Sequence, residues 1–198
     1  AGLKRVEVLC RREFPELADW WGKHGFGRLR ENASGIVLGR DLPVAVTVPT
    51  PGAMHALGVE LAGLLRAGDV IIATGELGAG KTTLARGIGE GLGVEGPVVS
   101  PTFVLSRIHP SRGGGPDLVH VDAYRMAGAD ELADIDLDAT LPGSVTLVEW
   151  GEGIAEWLSD ERLEIDIDRE IGDEARRVTL TGTGPRWAGA LEALRRNP

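Results

Sequence analysis

Lysine is scarce in this chain. Of 21 basic residues only Lys4, Lys23 and Lys81 are lysines, and one of them sits in a glycine-rich octapeptide. Residues 75 to 82 read GELGAGKT, which fits the pattern G-x-x-x-x-G-K-[ST]. In that pattern glycines let backbone N–H groups converge on phosphate oxygens, Lys81 reaches the β and γ phosphates, and the Thr82 hydroxyl faces Mg²⁺. At this composition the pattern is expected by chance roughly 0.005 times. Phosphoryl chemistry also needs a carboxylate at the end of a neighbouring strand, to serve the metal or the attacking water. Two acids answer that need: Asp122 closes LVHVD and Glu149 closes VTLVE. Thr102, in the SPT of residues 100 to 102, has the spacing of a switch threonine near the γ phosphate, and Trp150 directly follows Glu149. The catalytic candidates are therefore Lys81, Asp122, Glu149 and Thr102, with Thr82, Glu149 and Asp122 as oxygen donors for Mg²⁺.

Such residues work only if regular elements hold them. VIIAT (70 to 74) is a continuous β-rich run of the kind buried on both faces of a sheet. The glycines follow it, and a helix is predicted from Thr82 to Leu92, with its positive end toward the phosphates. Before the loop, VAVTV (44 to 48) reads as a strand. Pro51 then opens a helix whose Met54, Leu57, Leu61, Leu64 and Leu65 fall at helical spacing. Later apolar runs are TFVLSRI (102 to 108), LVHVD (118 to 122), VTLVE (145 to 149), LEIDID (163 to 168) and RRVTLT (176 to 181), separated by helical stretches near 129 to 134 and 152 to 158. Alternation of this kind predicts an α/β fold, three-layered and P-loop NTPase-like, with a mainly parallel central sheet. The last two runs alternate and are expected to pair as antiparallel edge strands near the C-terminus. WAGALEALRR is expected to be a short helix, and HPSRGGGPD (109 to 117) a loop.

Residues 1 to 41 read differently. VEVLCRREFPELADWWGKHG, interrupted by Pro15, is expected to be helical, and FGRLRE and SGIVLGR form a hairpin around Asn32 to Gly35. The expected organisation is a helix-hairpin appendage over 1–41 and a P-loop ATPase domain over 42–198. The appendage carries 8 basic and 6 acidic groups in a chain of net charge −9, so the acidic excess lies beyond it. That balance argues against autonomous nucleic-acid binding, which needs a positive surface. The single cysteine, Cys10, excludes an internal disulfide, and the four histidines show no metal-ligand spacing. No apolar run approaches the length of a membrane helix and no signal peptide is evident, so a soluble chain with no membrane partner is expected. Asn occurs only at 32 and 197, which leaves no N-K-x-D guanine-reading motif, and there is no H-R-D kinase set.

Taken together, GELGAGKTTLARGIGEGLGV (75 to 94), SPTFVL (100 to 105), HVDAYR (120 to 125), DELADIDLD (130 to 138) and VEWGE (148 to 152) resemble the bacterial ATPase family of tRNA threonylcarbamoyladenosine (t6A) biosynthesis, TsaE/YjeE. The resemblance runs from about residue 44 to 170. It implies a cytoplasmic, Mg²⁺-dependent ATP hydrolase that is slow alone. It also implies partners: a threonylcarbamoyltransferase and its non-catalytic paralogue, with tRNA reached through that complex, whose multiple turnover the ATPase supports. Carried over, Glu76, Leu77, Gly78, Ala79, Gly80, Lys81, Thr82 and Thr83 line the phosphates of ATP or ADP, Thr82 and Glu149 hold Mg²⁺, Asp122 assists metal or water, and Thr102 is switch-like. Trp150 packs by the site and the helix start at Pro51 approaches the adenine. A rival from another class is a P-loop phosphotransferase acting on a small molecule, for which Arg107, Arg112 and Arg125 are the nearby lid candidates.

Overall fold

The computed structural model describes residues 3–169 and 175–195. Strand β1 (Arg5–Arg11), helix α1 (Glu16–Lys23), β2 (Gly27–Asn32) and β3 (Gly35–Asp41) come first and form a three-stranded antiparallel sheet in the order β1-β3-β2. The helix expected from residue 6 is corrected here: Val6 to Arg11 are extended, and helix begins only after Pro15. Val6, Val8 and Cys10 alternate, and seven-residue pairing of β1 with β3 supplies the ladder that makes the extended form the better one. The hairpin turn lies where Asn32 puts it: its side-chain oxygen accepts from the N–H groups of Ser34 and Gly35 (2.9 and 3.1 Å).

Then follow β4 (Val44–Val48), α2 (Pro51–Ala62), β5 (Val70–Gly75), α3 (Lys81–Leu92), β6 (Ser106–His109), β7 (Asp117–Asp122), α4 (Ala129–Ala133), β8 (Ser144–Glu149), β9 (Arg162–Arg169) and β10 (Arg176–Thr183). They build a seven-stranded sheet ordered β4-β10-β9-β5-β8-β7-β6. The four inner strands β9, β5, β8 and β7 are mutually parallel; β6 runs antiparallel to β7, and β10 antiparallel to both β9 and β4. The fold is thus the mixed α/β P-loop NTPase type, with β4 completing the antiparallel end outside β10.

Period-two alternation divides the sheet into two cores. Ile71, Ala73, Leu147, Leu163 and Ile165 face Leu57, Leu61, Leu84 and Ile88 of α2 and α3. Val70, Ile72, Val119, Val121 and Val148 face Leu132, Leu137 and Leu158 on the other side. Helix α2 starts cleanly: Thr50 caps it by accepting from the Ala53 N–H (3.1 Å), with Pro51 in the first turn. Glycines then let α2 and α3 touch backbone to backbone. A methyl group at Gly58 would meet the Leu84 carbonyl, and one at Gly87 the His55 carbonyl.

Three further expectations are corrected. The strand expected over 102 to 108 exists only from Ser106, because residues 101 to 105 turn, with Val104 and Leu105 both donating to the Pro101 carbonyl. Around 152 to 158 only a single 3₁₀ turn forms, Glu156–Leu158. The C-terminal helix is replaced by two 3₁₀ turns, Pro185–Trp187 and Glu192–Leu194, separated by Gly189 at φ 74°. That segment is anchored by side chains instead: Arg186 donates to both oxygens of the buried Asp69 (2.9 and 2.6 Å) and to the Leu64 carbonyl (2.6 Å). The Arg195 guanidinium reaches the Leu42 carbonyl, and Asp41 accepts from the Gly189 N–H and from Arg5, joining the first sheet to the segment that follows β10. Among the described residues no helix is long and apolar enough to cross a membrane.

Two predictions follow from this packing. Gly87→Ala should cost about 1–3 kcal/mol by overpacking, although Ala is the better helix former; urea unfolding at fixed m-value measures it, and an unmoved midpoint would show that the helices part freely. Asp166 is pushed above the usual carboxylate range by burial and by Glu152, Asp168 and Glu164. The folded chain therefore holds its proton more tightly than the unfolded one, and stability present at low pH is lost as pH rises through the folded value. Asp166→Asn should raise the melting temperature at neutral pH, the gain vanishing as pH falls below about 4.

Candidate functional site

The carboxyl ends of β5, β8 and β7 lie side by side, with Ala73 opposite Glu149 and Glu149 opposite Asp122 in the parallel register. This is where open α/β sheets bind ligands. Between β5 and α3 the chain must turn sharply, and Gly80 at φ 117° allows it to enter α3 directly at Lys81. The first turn of α3 leaves N–H groups unpaired within the helix, at residues that line the cleft.

Lys81, 5% exposed, donates to the carbonyls of Gly75 (2.6 Å) and Glu76 (3.0 Å). Its ammonium lies 3.7 Å from the centroid of the Trp150 ring. Burial pushes the Lys81 pKa down while the carboxylates of Glu149 and Asp122 pull it up. Trp150 holds its place through a left-handed backbone, φ 62°, with its N–H donating to the Ala73 carbonyl (2.9 Å), and Tyr124 packs on it at 5.0 Å.

Glu149 is buried and accepts from the Thr82 hydroxyl at 3.0 and 3.2 Å. Asp122, also buried, accepts from the hydroxyls of Thr102 (2.6 Å) and Ser100 (3.0 Å) and from the Tyr124 N–H (3.0 Å). These groups border a cavity of about 290 Å³ lined by Leu77, Gly78, Gly80, Lys81, Thr82, Thr83, Thr102, Asp122 and Glu149, among others. Glu76 contributes its carbonyl, and Ala79 is buried in the core behind the loop. Pro51 is not brought to the cavity: it is exposed in the first turn of α2, whose Met54 is what approaches Gly80. Roomier clefts of about 600 and 1030 Å³ lie elsewhere, but neither gathers a buried lysine and two buried carboxylates, so chemistry rather than volume picks the site.

Three residues went unread in the sequence. His120 is fully buried with Nε2 2.8 Å from Glu149 Oε1; standing two residues before Asp122 on a strand, it shares that residue's face, and the alternation could have exposed it. Ser100 and Tyr124 flank Asp122 and carried no separate signal. The donor set suits a hard divalent cation. Thr82, Glu149 and Asp122 offer oxygen alone, and Mg²⁺ is commonly held by one or two carboxylates together with waters and phosphate oxygens.

Comparison with known proteins points to one family. Residues 48–178 match the family model described as threonylcarbamoyl adenosine biosynthesis protein TsaE. A tRNA threonylcarbamoyladenosine biosynthesis protein TsaE of Streptomyces coelicolor is 62% identical over 141 residues, 69% of this chain and 95% of the relative. The protein of the same name from Mycobacterium tuberculosis is 47% identical over 140 residues, 67% of this chain and 83% of the relative. Among solved structures, Bacillus subtilis YdiB aligns with a TM-score of 0.64 and 36% identity, covering 77% of this chain and 94% of that one.

The geometry around Asp122 can be tested without any ligand. Asp122→Ala removes the acceptor for Ser100 and Thr102, so amide protection from Val104 to Ser106 should fall by an amount corresponding to about 1.5–3 kcal/mol. Hydrogen exchange read by mass spectrometry measures it, with the β5 core amides as the unchanged reference.

Proposed function

The chain belongs to the TsaE family of threonylcarbamoyl adenosine biosynthesis proteins, and from that premise we propose that it is a Mg²⁺-dependent ATPase supporting repeated turnover in the formation of t6A on tRNA. The observation that carries the reading is the convergence of Lys81, Thr82, Glu149 and Asp122 at the mouth of the glycine loop. Loop amides and the α3 N-terminus hold the phosphates, and Lys81 exchanges its loop carbonyls for phosphate oxygens. Thr82 and Glu149 hold Mg²⁺, with Asp122 beside them. When bound, the ion neutralises charge on the β and γ oxygens. Asp122, fixed by three donors, accepts a hydrogen bond from the attacking water and orients it. Because Ser100 and Thr102 hang from that same carboxylate, the segment they occupy is the part of the surface that reports nucleotide state.

The partners in this reading are a threonylcarbamoyltransferase and its non-catalytic paralogue in the cytoplasm, with tRNA bound by the complex. The acidic character of the chain beyond residue 41 supports contact with a protein rather than directly with RNA. The phosphotransferase alternative has no specific observation in its favour: the Arg125 guanidinium lies over the Phe103 ring, and Arg112 lines a different cleft.

Multiple-turnover formation of t6A by the purified transferase pair, with its activated-threonine donor and ATP, tests the proposal. Modification should stall near one cycle per enzyme without this chain and continue with it. Lys81→Ala should lose about 1.5–3 kcal/mol of nucleotide binding, roughly 10- to 150-fold in Kd, and fail to support turnover. Glu149→Gln should bind nucleotide without hydrolysing it. Equal cycle numbers with and without the wild-type chain would sink the proposal.

A further inference from the structure

We infer that His120 is a positioning residue that sets the orientation of Glu149, and thereby of the Thr82 hydroxyl, for the metal; the inference rests on the role proposed above for Glu149. His120 lies on β7 with its side chain fully buried, and Nε2 is 2.8 Å from Glu149 Oε1. A carboxylate accepts, so Nε2 carries the hydrogen toward Glu149. The same carboxylate accepts from Thr82 at 3.0 and 3.2 Å. Two donors approaching from different elements, β7 and α3, leave Glu149 little freedom to rotate.

The consequence reaches Thr82. Its hydroxyl has one hydrogen, and donating that hydrogen to Glu149 leaves the oxygen lone pairs for a cation. If Glu149 turned away, the hydroxyl would rotate with it. Partners of this kind, one bond behind the ligand, commonly govern metal affinity.

A purely structural role fits the site less well. Nδ1 of His120 is buried and meets no hydrogen-bond partner among the described residues, a cost that an apolar side chain in this wall would avoid. What the histidine supplies that an apolar residue cannot is the Nε2–H toward Glu149.

The test uses the full chain with ADP, titrating Mg²⁺ into the ADP complex by calorimetry and measuring ADP affinity separately in EDTA. His120→Asn, whose amide stops short of the Nε2 position, should weaken Mg²⁺ binding by about 10-fold or more while leaving ADP affinity in EDTA unchanged. His120→Gln, whose amide nitrogen reaches that position, should restore Mg²⁺ binding. Glu149→Gln should weaken it independently. An unmoved Mg²⁺ midpoint in His120→Asn, with Glu149→Gln shifted, overturns the positioning role. An unmoved midpoint in Glu149→Gln overturns the metal reading beneath it, and the inference with it. If His120→Asn does not fold, nitrogen NMR of the wild-type imidazole decides: the Nε2–H form with bare Nδ1 is expected, and the opposite tautomer overturns the inference.

Discussion

Two carboxylates, Glu149 and Asp122, are kept out of water at the ends of adjacent parallel strands, and much of the surrounding structure answers that constraint. A carboxylate removed from solvent is tolerable only when donors or cations meet it. Glu149 receives Thr82 from α3 and His120 from β7; Asp122 receives Ser100, Thr102 and the Tyr124 amide. Lys81 supplies the compensating charge and is itself held by loop carbonyls and the face of Trp150. These groups come from four stretches of chain, residues 75–82, 100–102, 120–124 and 149–150, so the site exists only when the sheet register, the loop and the start of α3 are all in place.

The scaffold makes that agreement rigid. With glycines at the crossing, α2 and α3 meet at backbone distance, so the helix that begins at Lys81 is braced along its length rather than only at its first turn. The two cores on opposite faces of β5 and β8 fix the strands whose ends carry Ala73 and Glu149. Precision at the loop therefore derives from dense apolar packing one layer below it.

Much of this was legible in the sequence because local signals and global fold agree. The inner strands are unbroken apolar runs, the acids close them, and GELGAGKT stands between a strand and a helix. The fold family follows from those features and from the spacing of the later motifs. What stayed hidden is of three kinds. Residues 6 to 11 have a composition that both helix and strand accept, and only pairing with β3 decides between them. Around Thr102 an apolar run suggests strand, whereas Asp122 draws the serine and threonine hydroxyls into a turn that no local preference announces. At the C-terminus the period of WAGALEALRR suggests helix, but Gly189 breaks it and the Arg186–Asp69 pair gives the chain a tertiary anchor in place of helical hydrogen bonds. His120 is a different case, since its meaning lies in a partner 29 positions away.

The order of strands in the large sheet has a kinetic side. Among the described residues β4 pairs with β10 alone, and β5 meets β9 only after the whole middle of the sequence has been made. As the chain leaves the ribosome, β4 must wait unpaired while α2, the glycine loop and the two acid-bearing strands emerge. Contacts so distant in sequence close slowly, because the intervening chain has to be ordered before they form. Pairing of β5, β8 and β7 thus precedes closure of the antiparallel end, and β10, the last strand of this sheet to be made, locks its first strand into place.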